Sequence, residues 1–181
     1  MVFRFCLTTL SLLLVALMTF TGNAADKVNV GDKAPDFSLP CATKDSITDA
    51  LRLSDLIGKN NIILAFYPSD WSGGCTVEMC TMRDNFGLLS DLGASVFGIS
   101  GDYVYSHREW AKHHDLQFGL LSDHNHDVAK RYSSYNDQTG MNLRTVYVID
   151  KKGNVAYIDL TYKAREPASF ENLKAALAKL K

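Results

Sequence analysis

Asn61-Ile62-Ile63-Leu64-Ala65-Phe66-Tyr67-Pro68-Ser69-Asp70-Trp71-Ser72-Gly73-Gly74-Cys75 is the stretch that decides how this chain is read. Its first seven residues form an apolar run stopped by Pro68, the pattern of a strand buried on both faces. A polar, glycine-containing loop follows from Ser69 to Gly74, and a helical stretch runs from Cys75 to about Leu89. Cys75 therefore falls just beyond the carboxyl end of a strand and at the start of a helix. In open α/β sheets ligands gather outside the carboxyl ends of strands. The free N–H groups and dipole of a helix start favour an anion there. A free thiol is only about 3% thiolate at pH 7, and the thiolate is the nucleophile. The position thus predicts an activated cysteine.

Working outward, Ala94 to Ile99 is a second buried strand, and Phe118 to Leu121 a short third. Ser106-His107-Arg108-Glu109 has the form of a capping box and predicts a helix through His114. Asp123 can cap a helix reaching Tyr132. Thr145 to Asp150 and Val155 to Asp159 are strands joined by Lys151-Lys152-Gly153-Asn154, a hairpin signature. From Glu166 to Leu180 an amphipathic helix places Phe170, Leu173, Leu177 and Leu180 at helical spacing. Strands alternating with helices imply parallel pairing with right-handed crossovers, and the closing hairpin adds antiparallel strands. The expected fold class is α/β: a thioredoxin-like three-layer fold, a central mixed β-sheet with helices on both faces.

The chain has 181 residues, 46% hydrophobic and 22% charged, with net charge -1. That suits one packed domain. With no basic excess, nucleic acid is not an expected partner. Arg4 precedes an apolar run from Phe5 to Phe20, then Thr21-Gly22-Asn23-Ala24-Ala25 and Asp26. This reads as a secretory signal segment over residues 1–25, leaving a domain over residues 26–181. A retained membrane anchor is the competing reading, but a run of about 16 residues is shorter than the roughly 20 that span a bilayer. Export, to a bacterial periplasm, without stable membrane association after removal of the segment, is the expectation.

Cys41, Cys75 and Cys80 remain in the mature domain, an odd number that leaves a thiol unpaired or used in chemistry. If Cys75 and Cys80 share a helix, their Cα atoms are roughly 8–9 Å apart, beyond the about 7 Å a disulfide tolerates. Such a pair bridges only if the helix start unwinds. The plainer alternative is that Cys80 is a core thiol. Arg144, immediately before a strand, is a candidate partner for the Cys75 thiolate, or else a surface residue. Cys41 reads as a bystander, an alternative resolving thiol or an intermolecular link.

Pro68-x-x-x-Ser72-x-x-Cys75 resembles the peroxiredoxin pattern of Pro, Thr or Ser, and Cys at these offsets. Ala65-Phe66-Tyr67 before it and Thr76-Val77-Glu78-Met79-Cys80 and Arg83-Asp84 after it also look like that family. Pro35-Asp36-Phe37, Leu120-Leu121-Ser122-Asp123 and Arg144 to Asp150 extend the likeness over most of the chain. The step from Cys75 to Cys80 is similar to the bacterioferritin comigratory protein, or peroxiredoxin Q, branch.

The resemblance implies a thiol-dependent peroxidase acting on hydrogen peroxide and organic hydroperoxides. Cys75 matches the peroxidatic thiol, Pro68 the residue that shields it, Ser72 the hydroxyl that contacts peroxide, Arg144 the pocket arginine, and Cys80 the resolving thiol. The implied cycle passes through a Cys75 sulfenic acid and an intramolecular disulfide with Cys80. A thioredoxin-like or glutaredoxin-like thiol donor then reduces that disulfide. No cofactor or metal is required, and a monomer or weak homodimer is implied. Ser72 departs from the family's usual Thr, and Gly73 from a common Pro, so the loop is expected to be less rigid.

Other readings compete. A thioredoxin-like thiol-disulfide oxidoreductase predicts Cys-x-x-Cys, which is absent. A redox sensor on the same fold differs only in its kinetics. A periplasmic copper-binding chaperone predicts a different ligand spacing. His113-His114 and Asp123-His124-Asn125-His126-Asp127 look metal-like but read as solvated segments. Trp71 either packs over the thiol pocket or anchors the loop.

Overall fold

A computed structural model of the protein describes residues 27–180. The predicted signal segment lies outside the described residues. Among the described residues no helix is long and apolar enough to cross a membrane.

The sheet begins with β1 (Ser38–Ala42) and β2 (Ile47–Arg52), continues through β3 (Asn61–Phe66), β4 (Ala94–Ser100) and β5 (Gly119–Ser122), and closes with the hairpin β8 (Thr145–Ile149) and β9 (Val155–Asp159). β6 (Tyr135–Asn136) and β7 (Met141–Asn142) form a separate two-stranded ladder. The helices are α1 (Gly73–Asp84), α2 (Phe86–Asp91), α3 (Val104–His113), α4 (Asp127–Arg131) and α5 (Pro167–Ala178). The strand order is β2-β1-β5-β4-β3-β8-β9. β3, β4 and β5 run parallel, and the remaining pairs are antiparallel. This is the mixed sheet that the alternation of elements predicts.

Alternation along β3 explains the two cores. Ile63 and Ala65 face a cluster containing Cys75, Met79 and Met82 of α1, Trp110 of α3, and Phe170, Leu173 and Leu177 of α5. Ile62, Leu64 and Phe66 face the other side, with Val128 and Ala129 of α4, Tyr132 and Cys41. Side chains two apart share a face in a strand. A strand covered on both faces reads as an unbroken apolar run, and all six residues of β3 are buried.

Two local expectations change and one holds. The helix predicted from Cys75 to Leu89 is two helices, broken at Asn85, whose side chain and backbone N–H both donate to the Thr81 carbonyl. The capping box fails: α3 starts two residues before Ser106, whose hydroxyl binds the Asp70 carboxylate. Asp123 does satisfy a helix start, accepting from the backbone N–H groups of Val128 and Ala129 at 3.1 and 2.7 Å.

Candidate active site

Cys75 is the third residue of α1, so its N–H belongs to the first turn and has no intrahelical acceptor. Its side chain is completely buried. Arg144 Nη2 donates to Cys75 Sγ at 3.3 Å, and Nη1 donates to Glu78 Oε2 in a tight ion pair. One guanidinium therefore holds both a thiol and a carboxylate. The chain path makes this possible. β8 pairs antiparallel with β3, Thr145 opposite Phe66, so the residue preceding β8 stands beside the carboxyl end of β3. A parallel neighbour would start at the opposite end, so the antiparallel pairing is what brings Arg144 to the thiol.

Glycine lets the guanidinium come this close. A Cβ on Gly74 would lie 3.1 Å from Arg144 Nη2, a distance at which the arginine has to give way. A second cation flanks the loop, with Arg165 Nη2 3.9 Å from where a Cβ on Gly73 would stand. Arg165 had no signal in the sequence beyond being basic.

Glu78 is the residue that sequence reasoning missed. It is fully buried, and burial pushes its carboxyl up to about 7, against the opposing pull of Arg144. Its second oxygen, Oε1, has no hydrogen-bond partner among the described residues. Its charge adds to the burial that raises the phenol of Tyr162. The signal was present: a residue three after Cys75 on one helix shares its face.

The loop is fastened from beneath. Asp70 is buried, accepts from Tyr67 Oη at 2.8 Å and Ser106 Oγ at 2.7 Å, and lies 3.0 Å from His107 Nδ1. His107 Nε2 lies 3.2 Å from the Leu121 carbonyl. The backbone N–H of Asp70 donates to Asp102 at 2.8 Å. Trp71 adopts a left-handed φ of 59° and is 55% exposed, while its indole N–H donates to Ser106. Trp71 anchors the loop to α3.

Of the sequence candidates, Cys75 and Arg144 come into contact. Pro68 is half-buried at the loop's start. The Ser72 hydroxyl donates to the Ser69 carbonyl at 3.1 Å, within the loop. Cys80 is half-buried further along α1, as a free thiol, and the structure does not bring it to Cys75. Cys41 lies in the core on the other face of the sheet. His124 Nδ1 faces the Gly101 carbonyl and His126 Nδ1 faces Asn142, so the two diverge.

Known proteins resemble this chain in sequence and in fold. The model of the AhpC/TSA family matches residues 30–158. A chloroplastic peroxiredoxin Q of Triticum aestivum is 41% identical over 76% of this chain and 62% of its own length. A peroxiredoxin bcp of Coxiella burnetii is 38% identical over 72% of this chain and 87% of its own. The crystal structure of the peroxidoxin BcpB from Mycobacterium tuberculosis superposes with a TM-score of 0.75 at 28% identity, covering 85% of this chain and 99% of that one. The chain spans less than two thirds of the length of the wheat and rice relatives. Export to a periplasm is overturned by these names: the plant relatives are chloroplastic. Residues 1–25, on which that expectation rests, lie outside the described residues. By its sequence match and the fold it shares with these proteins, the chain belongs to the AhpC/TSA family.

Proposed function

We propose that this chain is a thiol-dependent peroxidase that reduces hydrogen peroxide and organic hydroperoxides, with its working domain over residues 26–181. One observation carries the reading: a thiol in the first turn of a helix, shut away from water, with an arginine donating to its sulfur at 3.3 Å. The Cys75 thiolate attacks one peroxide oxygen, the O–O bond breaks, and water or an alcohol leaves. Cys75 becomes a sulfenic acid. Arg144 stabilises the thiolate and the negative charge that grows on the departing oxygen. Glu78 holds the guanidinium so that Nη2 faces sulfur. Burial pushes its carboxyl up to about 7, against the pull of Arg144.

Because Cys75 is fully covered, peroxide reaches it only when the loop shifts. Gly73 and Gly74, the first two residues of α1, give the start of the helix freedom. Pro68 shields the thiol and Ser72 offers its hydroxyl lone pairs to peroxide. The first turn of α1 then opens, Cys80 condenses with the sulfenic acid, and an external thioredoxin-like or glutaredoxin-like donor reduces the disulfide.

The test is peroxide consumption with dithiothreitol by the parent protein, Cys75→Ser and Cys80→Ser, with mass spectrometry after one equivalent of peroxide. Loss of turnover in Cys75→Ser is expected, with sulfenic or over-oxidised Cys75 accumulating in Cys80→Ser. Undiminished consumption by Cys75→Ser sinks the reading.

A further inference from the structure

The thiol of Cys80 has a partner that no part of the cycle above uses. His114 Nδ1 lies 3.9 Å from Cys80 Sγ, within hydrogen-bond reach of sulfur. His114 follows the last residue of α3 and is itself half-buried. Arg83 holds it in place: Nη1 donates to the His114 carbonyl at 2.8 Å. Arg83 and Cys80 are three apart on α1 and share a face. The ring is walled by aromatics, with Trp110 edge-on at 5.7 Å, His113 edge-on at 4.7 Å and Trp71 at 6.4 Å between centroids.

We propose that His114 is the general base for resolution, taking the proton from Cys80 as that thiol attacks oxidised Cys75. The proposal rests on the peroxidase reading above. It makes His114 a catalytic residue, because it touches a reacting atom.

The chemistry closes without an outside reagent. With its own proton on Nε2, His114 accepts the Cys80 proton at Nδ1. The Cys80 sulfur gives its electron pair to the Cys75 sulfur, and the S–O bond of the sulfenic acid breaks. Hydroxide leaves and recovers the proton from the imidazolium, departing as water. Cys80 is oxidised and the sulfenic sulfur reduced. Only the start of α1 has to open for this. Cys75 is the third residue of the helix and travels, whereas Cys80, deeper in α1, stays beside its base.

The charges around the pair suit these roles. Partial burial pushes the Cys80 thiol up, Arg83 opposing and Asp84 adding. Left alone, the thiol therefore stays protonated at pH 7. Burial, then His113, then Arg83 lower His114, so it is neutral and able to accept a proton at pH 7. From the neighbouring turn Asp115 faces Arg83 but is paired with Lys44 at 2.6 Å.

The test is single turnover with one equivalent of hydrogen peroxide, quenched at intervals and counted by mass as sulfenic acid, trapped with dimedone, and as disulfide. His114→Asn keeps a residue at home at a helix end. Its disulfide is expected to form about tenfold more slowly, relative to its sulfenic acid, than in the parent at pH 7. The gap narrows as pH rises and the thiol begins to ionise unaided, and added imidazole restores part of the rate. The parent itself shows resolution falling as pH drops through the histidine range. A variant with the parent's ratio of rates and pH profile overturns the proposal. So does a parent whose resolution is flat across that range, whatever the variant does. Absence of both sulfenic acid and disulfide in the parent defeats instead the peroxidase reading on which the proposal stands.

Discussion

Cys75 and Cys41 are both buried thiols, one in each core of the same sheet, and their surroundings share almost nothing. Cys41 sits on β1 among apolar side chains, without a hydrogen-bond partner among the described residues, and burial pushes its thiol up to about 11. Cys75 is more deeply buried still, yet it opens a helix and touches a guanidinium. Burial alone silences a thiol, because it disfavours the charged form. A fixed cation opposes that effect, because the same exclusion of water strengthens its attraction for an anion. The two surroundings differ in Arg144, not in depth.

Removing that arginine should make Cys75 resemble Cys41, and this is the largest expected effect. Arg144→Met keeps the bulk and removes the charge. The second-order rate with hydrogen peroxide should fall by about 10²–10³, the cost of losing one preorganised donor to developing charge. Stopped-flow oxidation of Cys75 measures it. Arg144→Lys should recover only a part, since a point charge cannot bridge thiol and carboxylate at once. A rate within threefold of the parent for Arg144→Met breaks the comparison outright.

The second prediction concerns the carboxylate that the arginine also holds. Burial raises Glu78 from 4.5 to about 7 in the folded state. The folded protein therefore binds this proton more tightly than the unfolded chain does. Its contribution to stability is present in full below about pH 4.5 and is lost as pH rises through 7. The shift corresponds to roughly 3 kcal/mol. Glu78→Gln removes the titration, so denaturant melts of that variant should lose less stability than the parent between pH 5 and 8. Equal pH slopes would show that Glu78 is no different from a solvated carboxylate.

How much of this was legible in the sequence differs between the two regions. Around Cys75 the unbroken run of β3, the stop at Pro68 and the helix beyond it placed the thiol correctly. The hairpin at Thr145 to Asp159 placed Arg144 at a strand start, although only the antiparallel register brings it to the thiol. Glu78 was hidden because a carboxylate on a helix reads as solvated, and only three-dimensional burial shows otherwise. Asp70 and His107 were hidden for a related reason: Ser106 fits a capping box locally, and a long-range contact with Asp70 outweighs it. Around Cys41 the sequence was nearly mute. β1 contains Pro40, tolerated at the register shift between Leu39 and Cys41. β2 is a largely exposed edge without an apolar run. Such strands form because neighbours supply partners, which no local pattern announces.

The smallest effects belong to Cys41. Cys41→Ala should leave the rate of Cys75 oxidation unchanged and lower stability by about 1 kcal/mol, the loss of one small buried group. A fall in peroxide turnover would instead give Cys41 a part in the cycle.

The neighbourhood of that sulfur allows a finer test of why the site is inert. A Cβ added to Gly119 would lie 2.7 Å from Cys41 Sγ and 3.2 Å from Phe97 Cδ1. Gly119→Ala alone should therefore cost about 1–3 kcal/mol, the usual cost of overpacking. With Cys41→Ala in the same chain the sulfur is gone and its space takes the new methyl. The pair should then cost less than the sum of the two singles by about 1 kcal/mol, a coupling that neighbours in contact show and separated residues do not. The residual contact with Phe97 keeps the relief incomplete. Urea melts of the four proteins measure the cycle. Full additivity would mean that the sulfur yields freely to the methyl. Cys41 would then sit in a loose cavity, not in a packed core, and close packing would no longer explain its silence.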